Sequence, residues 1–323
     1  MFLIKKCSLA IVFAFVFIFS ACNSKKDSSE TANEDSKEKS TAVCDKDLDY
    51  ESDKGHEYGD RSREALNAIF KTAKAKDFDG FMNIATDPYI QHSPDMEDGW
   101  KPVWKLTTER PDGFSSKQIK WLGTDGLLDN GNFLVMLREV NRGDGTPTSK
   151  IVDLMRFDEN GKYAEHWDIR QPLSEKTASG HSETGTTGKF SENPVDYSVK
   201  EEEKNKKIAV KFLNIAFNKG QLDRALDALV DEGYIQHNPF IADGIAPVKE
   251  IFASGKIPSL CYDIKYVLAQ NDIVVVYSKV TSTQGISAVV DILRIRDGQL
   301  VEHWDVVQPV PADKDMPHKN GMF

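Results

Sequence analysis

The chain has 323 residues, 40% hydrophobic and 28% charged, the composition of an ordinary globular protein with enough apolar material for more than one core. Its 41 Lys and Arg against 51 Asp and Glu leave a net charge of −10, and no long basic run follows the first few residues, which argues against nucleic acid as a partner. No phosphate loop, dinucleotide fingerprint or Gly-x-Ser-x-Gly elbow occurs, so nucleotide-dependent and serine-nucleophile chemistry find no support.

The first 21 residues carry Lys5 and Lys6 and then a nearly unbroken apolar run, Leu9 to Phe19. The run is too short for a permanent span of about 20 residues and reads as a signal peptide. It closes on Phe19-Ser20-Ala21-Cys22, which resembles the lipobox of bacterial lipoproteins. The resemblance implies lipidation at Cys22, a membrane anchor through that lipid, and a place in the bacterial cell envelope on the periplasmic or outer-membrane side. Residues 22–56 are mostly Ser, Lys, Asp, Glu, Thr and Asn, a disordered tether by composition. Cys44 and Cys261 are left to pair in an oxidising compartment, although one pair is not a disulfide framework.

In chain order, Ser62 to Ala75 has Leu66, Ile69 and Ala73 at helical spacing, and a second helix is predicted from Phe78 to Ile84. Strands follow at Gln118–Leu122, Asn132–Val140, Lys150–Phe157 and Tyr163–Ile169. Residues 174–196, rich in Gly, Ser and Thr without periodicity, read as a linker. The pattern then repeats, with helices at Lys207–Asn218 and Leu222–Val230 and strands at Leu260–Ala269, Ile273–Thr281, Ala288–Arg296 and Leu300–Val307. Helices followed by a run of antiparallel strands is the α+β order.

The repeat extends to motifs. Tyr89-Ile90-Gln91-His92-Ser93-Pro94 before Asp98-Gly99 matches Tyr234-Ile235-Gln236-His237-Asn238-Pro239 before Asp243-Gly244. Glu165-His166-Trp167-Asp168 with Gln171 matches Glu302-His303-Trp304-Asp305 with Gln308. The sequence therefore predicts a tandem duplication, with domains at 57–173 and 197–310 and a tail at 311–323. Both copies, and the closing Asn320-Gly321-Met322-Phe323, resemble the SnoaL-like polyketide cyclase family, within the α+β superfold named for nuclear transport factor two. That resemblance implies two cone-shaped domains, each with N-terminal helices on a curved antiparallel sheet, and pairing of sheets as an intramolecular pseudo-dimer or in a homodimer. It implies no cofactor and no metal, and it leaves the reaction open, because this fold serves cyclases, isomerases, hydrolases and non-catalytic binders.

In related cyclases and ketosteroid isomerases a carboxylate in an apolar cone takes a proton beside a carbonyl. The candidate catalytic residues are His166 with Asp168 and His303 with Asp305, each an i, i+2 pair on one strand face, and His92 and His237, expected to enter the cone from the helical side. Gln91 and Gln236 are candidate donors to substrate, Trp167 and Trp304 candidate contacts. Asp153 and Asp291 are alternatives for the acid/base aspartate. A two-residue turn at Asp297-Gly298 pairs Ile292 with His303 and Asp291 with Trp304, which sets Asp291 on the face opposite His303 and Asp305. Alternation alone leaves open which face looks into the cone. A metal set of His237, His303 and Asp305 has suitable ligand types but no recognised spacing. Two functions stand: acid/base chemistry on a small carbonyl compound, or a lipid-anchored module binding a small apolar molecule.

Overall fold

A computed structural model describes residues 44, 49–55, 59–128, 131–187 and 197–323. The predicted signal segment, Cys22 and most of the predicted tether lie outside the described residues, and no described helix is long and apolar enough to cross a membrane. The described residues form one compact unit.

Within it one element order occurs twice. Helices α1 (Gly59–Ala75) and α2 (Phe78–Met82) lead through β2 (Ala85–Gln91) and α3 (Trp100–Thr108) to strands β3 (Ser115–Leu128), β4 (Gly131–Asn141), β5 (Ser149–Phe157) and β6 (Tyr163–Pro172). In the second half α4 (Val199–Leu213), a π-helical turn (Asn214–Asn218) and α5 (Leu222–Leu229) lead through β7 (Val230–Gln236) and α6 (Ile245–Ala253) to β8 (Cys261–Gln270), β9 (Ile273–Ser282), β10 (Gly285–Arg296) and β11 (Gln299–Pro309). The sheets run β2-β6-β5-β4-β3 and β7-β11-β10-β9-β8, the latter extended by β1 (Glu51–Ser52). The architecture is α+β. The short strands and helices around the Tyr-Ile-Gln-His motifs lack a clear apolar period and were not predicted.

Those motifs fold as they do for a local reason. The Asp98 carboxylate accepts the Gln91 N–H at 2.9 Å, as Asp243 does for Gln236 at 2.9 Å, which ties the strand end to the following helix. Gly99 and Gly244 then start α3 and α6 at φ of 84° and 88°, a region that disfavours any side chain. The Asp-Gly pair is thus scaffold in both copies.

The predicted hairpin turn is present, with Arg296 opposite Gln299, but Val301 is an extra residue, so that Ile295 pairs with Leu300 and Arg294 with Glu302. The bulge overturns the expected register: Leu293, not Ile292, faces His303, and Asp291 faces Asp305. A one-residue insertion exchanges the two faces of a strand relative to its partner. His303, Asp305 and Asp291 therefore share one face, and Trp304 and Ile292 the other. Ala164 makes the same bulge in the first half, where Asp153 faces Asp168.

The faces bearing Trp167 and Trp304 pack the two sheets against each other, through Phe133, Val152 and Leu154 on one side and Tyr277, Val290 and Ile292 on the other. Gln308 accepts the Arg170 N–H at 2.8 Å, and Gln171 accepts the Val307 N–H at 2.9 Å, a reciprocal pair that marks an approximate two-fold relation.

Three segments outside the two predicted domains are built in. At the end of the predicted tether Asp53 is buried, with Lys206 Nζ at 2.8 Å and the Ala269 N–H donating at 2.6 Å, and Cys44 is bonded to Cys261 across a Cα separation of 5.5 Å. In the predicted linker Glu183 and Thr184 are buried, and Glu183 pairs with Lys150 at 2.8 Å. In the tail Met322 is buried in the inter-sheet core. Composition marks these stretches as polar, but their few buried groups meet partners from distant parts of the chain.

Candidate functional site

In the first half the helices and the concave face of the sheet enclose a cavity of about 350 Å³. Its apolar wall includes Leu66, Ile69, Val103, Met136 and Met155, and its polar wall includes Arg138, Asp153, His166 and Asp168. The bulge at Ala164 is what sets the last three on one side.

Arg138 grips Asp153 with both arms, Nε to Oδ2 at 2.5 Å and Nη2 to Oδ1 at 2.6 Å. Asp153 Oδ1 also lies 3.0 Å from His166 Nε2. Burial pushes this carboxyl up, but the Arg138 guanidinium and the His166 hydrogen bond outweigh it and hold it at about 2. The other ring nitrogen, Nδ1, lies 3.2 Å from Gln91 Oε1. That atom must be the amide oxygen, because it also accepts the backbone N–H groups of His92 and Ser93 at 3.0 and 2.8 Å. Both ring nitrogens of His166 thus face acceptor oxygens.

Asp168 is different. It is partly accessible, but to the cavity, and burial raises its carboxyl above the ordinary range; Asp153 and Asp95 add to the rise, against the pull of His166 and a hydrogen bond from Ser93. Two carboxyls in one cavity are driven in opposite directions, the pattern that separates a fixed anion from a group able to exchange a proton.

The second half repeats the frame with bulkier side chains packed inside it. His303 lies between Gln236 Oε1 and Asp291 Oδ1, both at 3.0 Å. Register places Ser278 where the first half has Arg138, Tyr262 where it has Ser116, and Leu300 where it has Tyr163. Tyr262 stacks on Phe217 at 4.9 Å and fills the interior together with Tyr234 and Val276. Burial raises Asp291. Asp305 Oδ2 accepts from Asn238 Nδ2 at 2.6 Å, and Oδ1 faces Lys150 Nζ at 3.6 Å, an ion pair without a hydrogen bond.

Several expected roles change. His92 and His237 do not enter a cone: they stack on Trp167 and Trp304 at 4.4 and 4.7 Å, on the opposite face, and each bonds a glutamate, Glu165 at 2.7 Å and Glu302 at 2.8 Å. The strand ends after residues 91 and 236, and the chain turns away from the sheet's concave side. Trp167 and Trp304 belong to the inter-sheet core, because alternation puts them opposite His166 and His303. Gln91 and Gln236 act through their oxygens as acceptors that orient a histidine. The metal set is not assembled, since His237 and His303 face opposite sides of β11; among the described residues no three His, Cys, Asp or Glu converge as ligands. Arg138 and Ser93 complete the site. Arg138 carried no motif, and comparison of the two copies for a charge present in only one would have found it.

Each Gln-His motif is clasped by the other half's end. Gly321 O lies 2.9 Å from His92 Nδ1, His318 Nε2 lies 2.8 Å from Ser93 O, and Asn320 donates to Gln91 O at 3.0 Å. At the matching places Ser182 O lies 2.6 Å from His237 Nδ1 and His181 Nε2 2.7 Å from Asp243, while Gly185 O accepts the Trp304 indole N–H at 2.8 Å. The two halves exchange tails.

The SnoaL-like domain model matches residues 209–303. No curated protein matches the chain. Among solved structures the chain is similar to a candidate polyketide cyclase of Bacillus cereus (18% identity, 43% of this chain and 99% of that one, TM-score 0.31). It is also similar to a candidate SnoaL-like polyketide cyclase of a Jannaschia species (19%, 33% and 87%, TM-score 0.30) and to an NTF2-like protein of unknown function from Mesorhizobium loti (19%, 35% and 98%, TM-score 0.30). Residues 209–303 of this chain are a SnoaL-like domain.

Proposed function

We propose that the cavity of the first half carries out cofactor-independent acid/base chemistry on a small carbonyl compound, an aldol-type cyclisation, isomerisation or hydrolysis. In this reading Asp168 takes the proton beside the carbonyl. The divergence of Asp153 and Asp168 within one cavity carries the reading: Asp153 is fixed as an anion by Arg138, while Asp168 has a raised carboxyl and no ion pair among the described residues. His166, with both nitrogens engaged by Gln91 and Asp153, is a positioning group rather than a base. The second half supplies the partner sheet of an intramolecular pseudo-dimer, and the tandem domains at 57–173 and 197–310 work as one body. The lipobox-like segment supports anchoring of this body in the cell envelope through Cys22.

Exchange of the α-protons of acetophenone into heavy water, followed by NMR, tests this without knowledge of the natural substrate. The protein should accelerate exchange, and Asp168→Asn should remove at least about a hundredfold, the lower range for a general base. Exchange no faster than in buffer, with the ketone still bound, would make the cavity a binding site without chemistry.

A further inference from the structure

We infer that the first-half cavity is shaped for a small amphipathic carboxylate, its anionic end met by Arg110 and its body by the apolar wall. This rests on the reading of that cavity as the working site and adds the class of molecule that enters it.

The two copies give the argument. Asp153 pairs with Met136 as Asp291 pairs with Val276, so the sheet positions correspond residue by residue. Arg138 then corresponds to Ser278 and Arg142 to Ser282, and Arg170 corresponds to Val307. Counted from Gly99 and Gly244 along α3 and α6, Arg110 corresponds to Gly255. Four guanidinium groups thus surround the first-half cavity, and none stands at the matching places in the second half.

Three of them are occupied. Arg138 holds Asp153, and Arg142 and Arg170 both meet Asp95. Arg110 forms no ion pair among the described residues. It lies over the Phe114 ring at 4.2 Å, and the charge acting on it is that of Arg138, of the same sign. A guanidinium on the cavity wall with a like-charged neighbour and an aromatic platform is a site for an anion. The ligand is not a bare ion, because Leu66, Ile69, Val103 and Met155 also line the cavity and Phe70 and Leu106 in its lining stay 46% and 43% exposed. A dianion such as a phosphate fits less well, since Asp95 and Asp144 share the lining. A monoanion with a short apolar body meets all of these surfaces.

Calorimetric titration of the whole protein with octanoate and with octanol at low ionic strength tests this. Octanoate should bind about tenfold more tightly than octanol, the scale of one charge-assisted hydrogen bond. Arg110→Gln should bring the two within about twofold, Arg110→Lys should keep part of the preference, and added salt should shrink it. Equal binding of acid and alcohol to the wild-type protein, an unchanged preference in Arg110→Gln, or no binding of either probe overturns the inference. Acetophenone exchange separates the two readings: exchange with no acid preference removes only this inference, and acid preference without exchange removes only the chemistry.

Discussion

Replacing Arg138 by Met keeps most of the side chain's length and removes the charge that holds Asp153. The Asp153 carboxyl sits at about 2 in the folded protein. Against an unfolded value of about 3.9, at 1.36 kcal/mol per pH unit, the depressed carboxyl contributes about 2.5 kcal/mol of stability at pH 7. The sign follows from the depression: this stability is fully present above about pH 4 and is lost as the pH falls toward 2. Most of it comes from Arg138, whose side chain is only 21% exposed, so solvent screens the pair little. Arg138→Met should therefore destabilise the protein by roughly 2 to 3 kcal/mol in urea unfolding at pH 7, and the gap to wild type should narrow by about 1 kcal/mol by pH 3. A gap of the same size at both pH values would refute the electrostatic account and leave packing as the cause.

The acetophenone exchange rate should fall as the pH drops through a midpoint above the ordinary aspartate value, because Asp168 acts only when ionised and burial raises it; a midpoint at or below about 3.9 contradicts the assignment. Replacing Cys44 and Cys261 by Ser should lower the unfolding free energy by up to about 5 kcal/mol, the loop-closure value for a cross-link this long, read by denaturant unfolding with and without reductant. Deletion of residues 318–323 removes the contacts to Gln91, His92 and Ser93, so amide exchange at those residues should speed up while that of Gln236 and His237 changes little; equal loss in both halves would mean that the tail acts only through the shared core.

Much of this was legible in the sequence. The duplicated Tyr-Ile-Gln-His and Glu-His-Trp-Asp segments gave the two-fold element order, and alternation along Glu165–Asp168 correctly put His166 and Asp168 on one face. Pairing across the hairpin failed, because a strong Asp-Gly turn fixes only the residues beside it and the bulge at Val301 leaves no mark in composition. His92 was misread for another reason: a histidine stacked on a tryptophan and bonded to a carbonyl from the far end of the chain looks, in sequence, like a histidine beside a substrate. The filling of the second site by Tyr262 depends on strand register, and so does the grip of Arg138 on Asp153. Neither is local in the chain.

The exchanged tails carry a consequence for dissection of the molecule. A polypeptide ending at residue 187 would hold the segment that clasps His237 and lack the one that clasps His92, and a polypeptide starting at 197 would have the converse. Neither piece is self-sufficient, yet the two are complementary, so fragments prepared apart should reconstitute when mixed. The same clasp gives the second half a part in the first: its last residues hold Gln91 and His92 in place and, through Gln91, His166.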